Sequence, residues 1–210
     1  MPLPGFLLPS RPIPISAAVT TATAPIGGTA TSANALTFVM QHQQLSQWCW
    51  AAVSASVAGF YGSGLTSQCA IASAEQSLVC CPANTAASGC DVAWYLDRAL
   101  QRVGHFDRLT FTPEAFATVS SEVDGGRPLC ARIAWSTVGA HFLALIGWSI
   151  DAAGSEYVDV EDPFYGFTTA TYSSFCTSYR TPGDTWTHSY FTAMAPAAGG
   201  GVVAGAPLSV

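Results

Sequence analysis

The stretch Gln43-Gln44-Leu45-Ser46-Gln47-Trp48-Cys49-Trp50-Ala51-Ala52 is where polar loop chemistry gives way to small residues at helical spacing. From there Trp50, Val53, Val57 and Phe60 recur at three- and four-residue intervals, and Gly62-Ser63-Gly64 closes the run. Ala51, Ala52, Ser54, Ala55, Ser56 and Ala58 fill the other faces, so neighbouring elements can approach this helix closely. Ser46 is the expected N-cap, which puts Cys49 in the first turn. Amide groups of a first turn stabilise negative charge, so a thiol there can be held as thiolate.

Two later stretches supply what a thiolate needs. His141 opens the strand-like run His141-Phe142-Leu143-Ala144-Leu145-Ile146-Gly147-Trp148, and Asp162-Pro163 closes Tyr157-Val158-Asp159-Val160-Glu161. A cysteine, a histidine and a carboxylate in that order make a nucleophile, its base and the group that orients the base. Glu161 competes with Asp162 for the third role but points to the opposite side if the strand continues. Pro163 keeps Asp162 extended. Gln43, six residues before Cys49, is the candidate partner of the Cys49 backbone N–H in stabilising an oxyanion, with Gln41 and Gln44 as neighbouring rivals. His42 points elsewhere if Gln43 faces the site and is given no role; His105 and His188 are read as structural or exposed.

Gln43 followed by Cys49-Trp50-Ala51 resembles the papain-like cysteine proteases. Gln68-Cys69, Cys80-Cys81, Gly89-Cys90-Asp91, Gly126-Arg127-Pro128, His141-Phe142, Asp162-Pro163 and Trp186-Thr187-His188-Ser189-Tyr190-Phe191 look more like a bacterial, effector-type branch of that family. Together these blocks span roughly residues 38 to 193. The resemblance implies Cys49 as nucleophile, His141 as base, Asp162 as orienter and Gln43 as oxyanion donor. It also implies peptide-bond hydrolysis through an acyl-enzyme, a protein or peptide substrate, no metal or organic cofactor, and an exported, secreted, monomeric protein. Two departures stand out. Ser46 occupies a position where plant enzymes usually have a disulfide cysteine, and many relatives carry Asn where this chain has Asp162. An Asp would bind His141 more strongly and favour its charged form. The rival readings are an amidase or transamidase with the same triad, an inactive papain-like binding module, and a stapled structural domain in which Cys49 is bonded.

Composition narrows the choice. Half of the 210 residues are apolar and 10% are charged, so the middle of the chain has the material for a core. A net charge of −6 with seven basic residues leaves no basic patch for nucleic acid. No apolar run approaches the ~20 residues of a membrane helix. Seven cysteines are many for a cytosolic chain, and Cys69, Cys80, Cys81 and Cys90 crowd together as in a stapled loop region of an oxidising compartment. With Cys49 left over, Cys69, Cys80, Cys81, Cys90, Cys130 and Cys176 could pair in 15 ways; reduced core thiols and a zinc site are the alternatives.

The chain divides into three parts. Residues 1–36, rich in Pro, Ala, Thr and Gly, read as a disordered linker or propiece, residues 37–195 as the papain-like domain, and 196–210 as a flexible tail. Met1-Pro2-Leu3-Pro4-Gly5 lacks the basic start and apolar core of an ordinary secretory signal. Helices are expected at Cys49–Tyr61, Ala70–Val79, Asp91–Arg102 and from Thr112-Pro113-Glu114 to about Val123. Strands are expected at 129–135, 141–150, 157–161, 167–175 and 186–193. Helices first and strands later imply an α+β fold. The expected form is papain-like and two-lobed, with a helical N-terminal lobe against an antiparallel, barrel-like sheet.

Overall fold

The computed structural model describes residues 30–64, 66–87 and 89–195; segments 1–29 and 196–210, read above as linker or propiece and as tail, lie outside the described residues. In chain order the elements are β1 (Ala30–Ala35), α1 (Cys49–Phe60), α2 (Gln68–Gln76), a short 3-10 turn (Ala83–Thr85), α3 (Leu96–Arg102) and β2 (Phe106–Thr110). They continue with α4 (Phe116–Asp124), β3 (Leu129–Ala134), β4 (Ala140–Asp151), β5 (Glu156–Asp162), β6 (Gly166–Thr171), α5 (Tyr172–Thr177) and β7 (Thr185–Thr192). The fold is α+β.

Helix α1 is buried from Cys49 to Ala58, on every face. Its alanines are what allow that, because a helix apolar all round must be enclosed by neighbours. Two serines inside it are satisfied by their own helix: Ser54 Oγ donates to the Trp50 carbonyl at 2.8 Å and Ser56 Oγ to that of Ala52 at 2.7 Å. The helix packs on α2 and α3 and against β4.

The sheet is antiparallel throughout, in the order β2-β7-β3-β4-β5-β6, with β1 paired to the far half of β4. β1 is formed by residues inside the 1–36 segment read as linker. No apolar alternation marks it, since all six residues are exposed; backbone pairing with β4 and the Asn34 side chain, which donates to Asp124 Oδ1 of α4 at 2.8 Å, hold it. Gly147 makes room for it: a methyl there would come within 3.1 Å of the Ala35 Cβ and 2.5 Å of the Asp159 carboxylate.

Alternation along the strands gives the sheet two cores. Cys130, Phe142, Ala144, Ile146 and Tyr190 face α1 and α3. Leu129, Ala131, Ile133, Leu143, Leu145, Val158, Val160 and Phe191 face the other way, toward Phe116 and Val119 of α4 and Phe175 of α5.

The barrel-like closure expected from the sequence does not occur. β2 and β6 are the ends of an open sheet. The strand expected over 167–175 stops at Thr171, whose side chain caps α5 by accepting from Ser174 N. Helix α5 then packs on β5, β6 and β7 and sinks Phe175 into the second core.

Four cysteines form two crossed staples, Cys69–Cys81 and Cys80–Cys90. Cys49, Cys130 and Cys176 are free. Cys130 and Cys176 cannot make the third pair that the count allowed, because they lie on opposite faces of the sheet.

Candidate active site

Topology brings the candidate residues to one end of the sheet. β4 and β5 are antiparallel, so the start of one, with His141, adjoins the end of the other, with Asp162. The first residue of α1, Cys49, arrives from the helical side. All three are buried, with Asp162 only 1% exposed. His141 Nε2 and Asp162 Oδ1 are 2.8 Å apart. That leaves Nδ1 as the ring nitrogen available to Cys49. Glu161 lies on the opposite face of β5, as alternation requires.

The electrostatics favour a charged imidazole. Burial alone would lower the His141 pKa, but its contacts with Asp162 and then Cys49 outweigh this and raise it to about 9. Asp162 shows the converse balance. Burial opposes its charge, and His141 with the N–H groups of Tyr165 and Phe164 overcomes that and holds the carboxyl below its ordinary range. Glu161, half-buried and repelled by Asp162, is pushed up to about 7.

Three groups absent from the sequence reading complete the surroundings. Trp135, just past β3, stacks on the His141 ring with centroids 5.5 Å apart. Tyr165 meets the ring edge-on at 6.3 Å. Tyr179 donates its hydroxyl hydrogen to Asp162 Oδ2 at 3.0 Å. Tyr165 and Tyr179 lie in loops with no apolar period, and Trp135 closes the expected strand 129–135, where nothing marks it as a neighbour of His141.

Gln43 is buried beside the approach to α1, and its backbone N–H reaches the Pro163 carbonyl at 2.9 Å. Its side-chain nitrogen donates to the carbonyls of Leu45 (3.1 Å) and Ser46 (2.8 Å), while Oε1 is buried without a partner among the described residues. Ser46 is not the N-cap; Trp48 is, with no side-chain cap. Ser46 instead donates to Asp91 Oδ2 at 2.7 Å, and Gln47 N donates to Asp91 Oδ1 at 2.7 Å. The indoles of Trp48 and Trp50 bond to the carbonyls of Cys90 and Val92. Segment 90–92 thus clamps the turn that delivers Cys49. Among the described residues no group of three or more His, Cys, Asp or Glu could hold a metal ion.

The family model described as papain-like cysteine protease AvrRpt2 matches residues 32–180. The chain belongs to that family. It is therefore a cysteine peptidase, and its substrates are proteins. The Amb a 11 cysteine protease of ragweed pollen, solved in its proform, is 12% identical, with 79% of this chain and 66% of that one covered and a TM-score of 0.51. The likeness shows that the fold of this family member is papain-like. Bromelain from Ananas comosus, in complex with the E64 inhibitor, is 14% identical over 74% of this chain and 94% of that one, with a TM-score of 0.47. No curated protein sequence matches this chain.

Proposed function

We propose that this peptidase cleaves peptide bonds through a Cys49–His141–Asp162 triad and an acyl-enzyme. The observation that carries the reading is the buried hydrogen bond between His141 Nε2 and Asp162 Oδ1, which leaves the other ring nitrogen to Cys49. Asp162 favours the imidazolium, so His141 accepts the Cys49 proton for the attack. The Cys49 sulfur attacks the carbonyl carbon and opens the C=O bond to an oxyanion. Collapse of the tetrahedral intermediate expels the amine, which takes the proton from His141 Nδ1, and leaves a thioester. Water, deprotonated by the now neutral His141, attacks the thioester and releases the acid; the proton returns to the Cys49–His141 pair.

The oxyanion would be held by the Cys49 backbone N–H and by the Gln43 amide, once that amide turns away from the Leu45 and Ser46 carbonyls. The two disulfides and the family together support a secreted protein acting on a target protein.

The test is alkylation of the native, non-reduced protein with iodoacetamide, alongside hydrolysis of a protein substrate by Cys49→Ser. Rapid labelling of Cys49 below pH 7, slowed by His141→Ala, is expected, with loss of turnover by ~10³-fold or more in the serine variant. Near-normal hydrolysis by Cys49→Ser would sink the reading.

A further inference from the structure

We propose that Tyr179 is a positioning residue for this reaction, fixing the Asp162 carboxylate through its hydroxyl. The inference rests on the triad reading above and deepens it. Asp162 Oδ1 receives three donors: His141 Nε2 at 2.8 Å, Phe164 N at 2.7 Å and Tyr165 N at 2.9 Å. Oδ2 receives the Tyr179 hydroxyl at 3.0 Å. Three donors on one oxygen leave the carboxylate free to pivot about that atom; the donor on the other oxygen stops the pivot.

The donors run in one direction. Arg180 Nη2 donates to the Tyr179 oxygen at 3.2 Å, and Tyr179 donates onward to Asp162. Donation from a cation polarises the phenol and strengthens its own bond. The Tyr179 ring is held in place by Phe175, with centroids 5.5 Å apart, and by the Arg180 guanidinium 4.8 Å from its centre. Tyr165 is held by the same guanidinium from its own side, at 4.5 Å. Burial and the adjacent carboxylate push the Tyr179 phenol upward, so the group stays protonated and remains a donor.

The charged groups around Asp162 are then His141 on β4, Arg180 beyond α5 and Glu161 on the opposite face of β5. Without the phenol, Oδ2 would be a buried, ionised oxygen with no donor among the described residues. The carboxyl would hold its proton more readily and support the imidazolium less.

Tyr179→Phe removes one oxygen and keeps the ring. The experiment compares wild type, Tyr179→Phe, Asp162→Asn, the double variant and Cys49→Ser by kcat, KM, the pH profile of kcat/KM, and Tm. Tyr179→Phe should lower kcat about 10-fold with KM unchanged, and move the upper pH limb to lower pH. In the Asp162→Asn background the same change should alter kcat less than about 2-fold, because the two residues act as one unit. A wild-type pH limb and kcat in Tyr179→Phe, with Cys49→Ser and Asp162→Asn both impaired, would overturn the role of Tyr179 alone. Wild-type hydrolysis by Cys49→Ser would overturn the triad and this inference with it. Should Tyr179→Phe be destabilised, it must lower Tm less in the Asp162→Asn background than in wild type; equal losses would reduce Tyr179 to a core residue.

Discussion

Gln43 has its donor and acceptor on opposite sides of one decision. Its nitrogen is bonded to the Leu45 and Ser46 carbonyls, and its buried oxygen has no protein partner among the described residues. An orphaned buried acceptor costs about 1–3 kcal/mol, while the nitrogen is committed to two loop carbonyls. An oxyanion needs the nitrogen, and delivering it releases the loop carbonyls. Gln43→Ala should therefore lower kcat about 10²-fold while Cys49 alkylation keeps its rate, because ionising the thiol depends on His141. Peptide hydrolysis and alkylation measured on the same sample check this; a parallel fall in alkylation would make Gln43 a loop support instead. At this scale the sequence was informative where position is decided by alternation. Strand parity put Asp162 and Glu161 on opposite faces, and the Asp-Pro step fixed which one closes the strand. It could not show the direction of the Gln43 amide or the approach of Tyr179, which depend on loops meeting across the fold.

The nucleophile helix is delivered by a loop that another loop holds. Trp48 lacks a side-chain cap, and the turn before α1 is held locally by its own Trp48 N–Leu45 carbonyl bond and by the Gln43 amide. Asp91 adds to this from across the fold, with both carboxylate oxygens on Ser46 and Gln47 just ahead of the helix, and the Cys80–Cys90 bond anchors the residue before it. Asp91→Ala should cost about 10-fold in kcat/KM by loosening this turn. Asp91→Asn, which keeps an acceptor for Gln47 N and can donate to Ser46 Oγ, should recover most of it. Equal losses in the two variants would count against the clamp. Here the sequence misled for a physical reason: an Asp ahead of an apolar period is what a helix start looks like, and α3 was expected from Asp91. Its carboxylate is engaged elsewhere, and α3 begins at Leu96. Strands β1 and β2 had no apolar alternation to betray them: β1 is exposed throughout, and β2 is only partly buried, through Phe106, Leu109 and Thr110. By contrast α1 and β3–β5 were legible from their periods, since both cores are built on them.

For the whole molecule, the same charges that build the site set how stability responds to pH. The division into helices and then strands was legible from period; the open sheet was not, because closure depends on whether two distant edges pair. The two groups that dominate between mild acid and alkali are His141 on β4 and Glu161 on β5. His141 has a folded pKa raised to about 9, above the ordinary ~6.5 of an unfolded chain. Its stabilisation is complete below ~6.5 and is lost as pH rises through about 9. Glu161 is an acid raised to about 7, so its folded form also binds more protons than the unfolded chain does, and stability falls as pH rises from ~4.3 through that value. His188 works the other way below ~6.5, because burial and Arg132 lower its pKa. Asp162, lowered, contributes fully above ~3.9 and loses its share only on further acidification. The net charge of −6 at neutral pH adds self-repulsion as pH climbs. The urea midpoint should therefore be lower at pH 9 than at pH 6, with His141→Ala flattening that decline. Glu161→Gln should raise the midpoint at pH 8 more than at pH 5, because it removes a carboxylate that the fold prefers neutral. A wild-type midpoint that held steady or rose from pH 6 to 9 would mean that the His141–Asp162 pair does not carry its charge in the folded protein, and the imidazolium on which the mechanism depends would go with it.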